Sequence, residues 1–180
     1  MSGDRHFAFL RAINTGTRRL TNDQLLAPFC ELGFADVAAY QAAGNVTFLC
    51  DDPDLVDERR IEAVLADAYG FPAPTFVRTA GEVREISTAE PFSAADLAGT
   101  TGKVQVAFLR ATPTPEAVDR ALSIVPPEDR LVVEGNHWYW LPTGGVSTSE
   151  LPVGQVESIL GETTMRTVGT VVRMVAKFDD

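Results

Sequence analysis

The pentapeptide Ala-Phe-Leu-Arg-Ala occurs twice in the chain, at residues 8–12 and 107–111, and a second shared motif follows each copy in the same order. That motif is Arg-Thr-x-Gly-x-Val, starting at Arg78 in the first half and at Arg166 in the second. Two ordered matches point to an internal duplication and tie the two halves to one fold plan, with the second copy the more compact. The segments between the anchors agree with this. Residues 6–11 form an apolar strand, followed by a polar loop through Asn14, Gly16 and Arg19. Residues 21–24, Thr-Asn-Asp-Gln, have capping-box form and open a helix with Leu25, Leu26, Phe29 and Leu32 on one stripe and Gly33 past its end. Pro28 should kink that helix, because an interior proline removes a hydrogen bond.

Two short strands then flank a turn at Ala43-Gly44-Asn45. Asp54 is expected to cap a second helix carrying Leu55, Ile61, Leu65 and Ala68 inward and stopped by Gly70. A fourth strand at residues 74–78 and a helix capped by Thr79 complete the first half. The second half repeats the pattern. Residues 103–110 form a strand, Thr114-Pro115 opens a helix with Val118, Leu122 and Val125 inward, and two strands pair around Gly135-Asn136. Ser149 or Glu150 begins a helix with Val156, Ile159 and Leu160 inward, which Gly161 ends, and residues 164–166 lead to a last helix.

Each half therefore spells strand, helix, strand, strand, helix, strand, helix. This predicts an α+β chain of two tandem ferredoxin-like subdomains (βαββαβ plus an extra helix), packed closely. The expected boundaries are 1–92 and 103–180, with a small, polar connector at 93–102. First strands that are apolar on both faces require cover on the side away from the helices, either from the other half or from a second copy in a homodimer.

The 180 residues, 45% hydrophobic and 22% charged, carry enough apolar material for a sizeable core. Net charge is −10 and both halves are acidic, which disfavours nucleic acid as a partner. No apolar run approaches the length of a membrane span and the N-terminus lacks signal-peptide form, so no membrane partner and a cytoplasmic location are expected. Cys30 and Cys50 have no metal-ligand spacing and read as buried thiols. His6 and His137 fall in different halves and form neither a metal pair nor a triad. Trp138, Tyr139 and Trp140 read as core, and no cofactor motif or metal site is apparent.

Residues 9–48, from Phe-Leu-Arg-Ala-Ile-Asn-Thr-Gly to Gln-Ala-Ala-Gly-Asn-Val-Thr-Phe, resemble the N-terminal signature of the bacterial family called domain of unknown function 1697. Residues 141–151 and 163–174 resemble its C-terminal segments. The resemblance implies a paired ferredoxin-like arrangement and no settled activity. It keeps Arg11, Ile13, Asn14, Gly16, Gln41, Gly44, Asn45, Ser149, Arg166 and Thr170 in place. Ala12 stands for a glycine, Ala43 for a serine, Thr167 and Val168 for Asn-Trp, Gly169 for an asparagine and Arg173 for a lysine.

In a ferredoxin-like unit the exit of the first strand and the hairpin between strands two and three share one end of the sheet. Arg11, Asn14 and Gly16 should therefore approach Gly44 and Asn45, while Arg18 and Arg19 add positive charge beside the helix start. This cluster is a candidate receptor for a small anionic metabolite carrying phosphate or carboxylate. The same residues also suit structural duty: Arg11 in an ion pair, Asn14 ordering its loop, and Gly16, Gly44 and Asn45 meeting turn geometry. Arg110 repeats Arg11, as a residue required by the fold would. Arg78 and Arg166 repeat likewise before helix starts, and Arg166 joins the candidate ligand-binding residues because the family pattern includes it. A binding module is the leading expectation. An enzyme using the same cleft is the first alternative, with catalytic residues unassigned for want of a base or nucleophile nearby, and a structural dimerisation protein is the second.

Overall fold

The computed structural model describes residues 3–16, 18–41 and 43–178. The chain begins with β1 (Asp4–Leu10), α1 (Asn22–Glu31), β2 (Ala35–Ala39), β3 (Asn45–Cys50), α2 (Glu58–Tyr69), β4 (Thr75–Thr79) and α3 (Ala80–Thr88). It continues with α4 (Ala94–Ala98), β5 (Gln105–Phe108), α5 (Pro115–Leu122), β6 (Arg130–Glu134), β7 (His137–Leu141), α6 (Val153–Leu160), β8 (Thr164–Thr167) and α7 (Val168–Phe178). The strands form two four-stranded antiparallel sheets, ordered β2-β3-β1-β4 and β6-β7-β5-β8. Sheet order and helix placement thus recur in the two halves of an α+β chain.

The chain divides into two compact units, one of residues 1–85 with 173–180 and the other of residues 86–172. These limits differ from the expected 1–92 and 103–180. Part of the expected connector is helical, because Ser93 and Asp96 close a capping box that starts α4. The far end of α7 belongs to the first unit, where the Arg173 Nε donates to the Tyr40 hydroxyl at 3.2 Å and the Phe178 ring meets Tyr40 edge-on.

In the first unit, Ala8 and Leu10 of β1 face a core shared with Phe29, Phe48, Ile61 and Leu65. Each fully buried Leu, Ile or Phe side chain among these is worth about 1.5–3 kcal/mol of transfer free energy. The alternate residues Phe7 and Phe9, with Phe76, are fully buried on the other face. In the second unit Ala107 and Leu109 meet Trp138, Trp140, Val156 and Leu160, while Val106, Phe108 and Tyr139 are buried on the opposite side. Side chains on both faces of β1 and of β5 are thus buried.

Several local expectations are corrected. Asp57, not Asp54, caps α2 by accepting from the Arg60 N–H at 2.7 Å, while Asp52 caps a short 3-10 turn that holds Leu55, and Ala68 is exposed. Ala121 takes the inward position on α5 and Leu122 is exposed. α6 starts after Pro152 and not at Ser149 or Glu150, because the Ser149 hydroxyl is bonded to Asp129. Cys50 is buried, but Cys30 is exposed on α1. The Thr21–Gln24 capping box forms, and α1 runs through Pro28 to Glu31.

Candidate functional site

At one end of the first sheet, β1 leaves between two neighbours. The Leu10 N–H donates to the Gly44 carbonyl at 2.7 Å and the Arg11 N–H to the Pro74 carbonyl at 2.8 Å. The exit of β1, the β2–β3 hairpin and the start of β4 therefore meet, and Arg11 sits at the exit. Gly44 has φ +72°, and a Cβ there would lie 2.9 Å from the Leu10 oxygen and 3.0 Å from the Ile13 Cβ. Only glycine meets both conditions.

Asn45 is fully buried and closes the hairpin: its Nδ2 donates to the Tyr40 carbonyl at 3.1 Å and its own carbonyl accepts from the Tyr40 N–H at 2.9 Å. Asn14 orders the loop that follows β1. Its Oδ1 accepts from the Leu20 N–H at 2.7 Å and its carbonyl accepts from the Arg19 Nη1 at 2.7 Å. The backbone here is unusual: Ala12 (φ 60°), Asn14 (φ 55°) and Gly16 (φ 57°) are all left-handed. An alanine in this region carries a steric cost that a glycine avoids.

Beyond this loop, a concavity of the first unit has a volume of about 520 Å³. It lies between α1, the end of α2 and residues 18–20, with Arg18, Arg19, Leu20, Pro28, Tyr69 and Phe71 on its wall. The Arg18 guanidinium lies 4.9 Å from the centre of the Phe71 ring, and the Tyr69 hydroxyl donates to the Leu25 carbonyl at 2.7 Å. Burial pushes the Tyr69 hydroxyl well above the ordinary phenol range. Arg18 and Arg19, the two charges expected beside the helix start, thus stand on this wall, whereas Arg11, Asn14, Gly16, Gly44 and Asn45 do not line it. Phe71, just before β4, carries no sequence signal of its own.

Arg166 lies in the second unit. Its Nη1 donates to the Thr164 Oγ1 at 2.9 Å and to the Met165 carbonyl at 2.8 Å, and burial pushes its guanidinium down to about 10, still charged at neutral pH. Arg78 has the matching position. It pairs with Phe7 on β1 as Arg166 pairs with Val106 on β5, and its Nη1 donates to the carbonyl of the preceding residue at 2.7 Å. Burial lowers the Arg78 pKa, opposed by Glu82 and Glu58. Thr79 and Thr167 each accept from the backbone N–H three residues on.

The second unit also holds a buried carboxylate that sequence gave no reason to select. Asp129 Oδ2 accepts from the Trp140 Nε1 at 2.8 Å and the Ser149 Oγ at 2.5 Å, and its Oδ1 from the Thr143 N–H at 2.9 Å. His6 stacks on Phe48 and His137 contacts Tyr139, and no group of three or more metal-ligating side chains is assembled among the described residues.

Comparison with known proteins fits this description. A conserved bacterial protein from Streptococcus pneumoniae of known structure shares the fold, with a TM-score of 0.73 and 16% identity over 99% of this chain and 100% of that one. No curated protein matches the sequence. The model of the family described as Protein of unknown function (DUF1697) matches residues 4–139, and the chain belongs to that family.

Proposed function

We propose that this protein is a binding module for a small anionic ligand, held in the cavity between α1, the end of α2 and residues 18–20. The supporting observation is the pair Arg18 and Arg19 on one wall of a 520 Å³ space in a chain of net charge −10. The lining also carries the Glu31 carboxylate, so two guanidinium groups against one carboxylate leave it net positive in an otherwise acidic protein. Arg18 is steadied by Phe71 and Arg19 by the Asn14 carbonyl, so neither must be fully ordered on binding. Leu20, Ala27, Pro28 and Phe71 add apolar surface, which suits a ligand with a carbon body beside its charge.

Arg11, Gly16, Gly44 and Asn45 shape and hold the loop from behind in this reading, and Arg166 has a separate structural role. A ferredoxin-like plan for both halves and an origin by duplication of units near 1–92 and 103–180 belong to the same reading. The matched sheet orders and the equivalent Arg78 and Arg166 support it. A cytoplasmic location rests on composition, together with the absence, among the described residues, of any helix long and apolar enough to cross a membrane.

The test is a thermal-shift screen of phosphorylated and carboxylate metabolites. At least one should give a saturable rise in melting temperature, and replacing both Arg18 and Arg19 by alanine should weaken its binding by about tenfold or more, equivalent to about 1.4 kcal/mol. A broad panel with no shift, or a ligand indifferent to both substitutions, overturns the reading.

A further inference from the structure

The loop after β1 alternates its backbone handedness. Ala12, Asn14 and Gly16 have φ near +60°, while Ile13 and Thr15 between them are not among the positive-φ residues. Alternation of this kind turns successive N–H groups toward one side, the geometry of the backbone nests that receive phosphate. The N–H groups of Ala12, Ile13, Thr15 and Gly16 donate to no acceptor among the described residues. The Ile13 side chain is packed into the core of the first unit, which pins the loop at its middle. The Arg19 guanidinium already touches this loop through the Asn14 carbonyl, placing a fixed positive charge beside the unspent donors.

We infer that residues 12–16 form a backbone seat for a phosphate group, completed by Arg19. The inference rests on the anionic-ligand reading above and narrows the ligand to a tetrahedral oxyanion. A carboxylate has two oxygens in one plane and satisfies fewer of these donors than a phosphate does. The seat costs strain at Ala12 and Asn14, and strained non-glycine residues concentrate where a ligand is held.

Amide NMR titrations of the intact protein test this with inorganic phosphate, glycerol phosphate and acetate as separate probes. Saturable downfield shifts of the Ala12, Ile13, Thr15 and Gly16 amides with either phosphate probe, and not with acetate, are expected. A glycerol phosphate affinity about tenfold above that of inorganic phosphate assigns the group to an organic monoester, and equal affinities assign it to free phosphate. Silence of these amides with both phosphate probes, or the same response to acetate, overturns the seat. If residues 18–20 and α1 then respond to some organic anion, the broader reading survives; if they too are silent, both fall. Gly16→Val, which forces φ negative, should weaken phosphate binding about tenfold with native spectral dispersion kept, whereas Ala12→Gly should retain binding. Unchanged binding in the folded Gly16→Val protein also overturns the seat.

Discussion

Two requirements coincide at Gly44, a left-handed backbone and close approach to Leu10 and Ile13. Gly44→Ala should therefore cost roughly 2–4 kcal/mol, the sum of a left-handed penalty and overpacking, read as a drop in the urea midpoint. Gly16→Ala meets open space and should cost only the backbone part, about 1–2 kcal/mol. Asp129→Ala removes the acceptor for the buried Trp140 Nε1 and should cost about 2–4 kcal/mol in the same assay. The two glycines were legible because turn composition and strand order alone place them. Asp129 was not, since its segment reads as a charged turn and its partners lie 11 and 20 residues further on. Asn14 and Asn45 were found as residues, but sequence alone could not separate a side chain spent on its own loop from one turned to a ligand.

At the scale of elements, the Tyr69 hydroxyl ties the last turn of α2 to α1 beside the cavity. Tyr69→Phe should cost about 1 kcal/mol. The sign of its pH effect follows from a phenol that titrates higher folded than unfolded. The folded state keeps its proton when the unfolded chain gives it up, so this stabilisation is complete below the ordinary value of 10.0 and is lost as pH rises beyond it. Denaturation from pH 8 to 11 should show a shallower alkaline decline in Tyr69→Phe than in the parent. Tyr139, also raised by burial, leaves a residual slope. Periodicity and caps revealed α1 with its Thr21–Gln24 box, because those signals are local. The cavity beside it was hidden, since it joins residues from the loop at 18–20, α1 and the segment after α2 that only the folded chain assembles.

For the whole molecule, the compact units do not follow the sequence repeat. Residues 173–178 close α7 but belong with the first unit, where Arg173, Lys177 and Phe178 gather around Tyr40. A chain ending at Val172 should lose amide-exchange protection around β2 and the adjoining hairpin while β5 to β7 keep theirs, as hydrogen exchange read by mass spectrometry would show. Protection lost first in the second sheet would contradict that assignment. The arrangement also bears on how the protein is born. The unit begun first on the ribosome waits for a segment translated after the whole of the second unit. Its Tyr40 corner therefore stays unfinished until residues 173–178 have followed the second unit out.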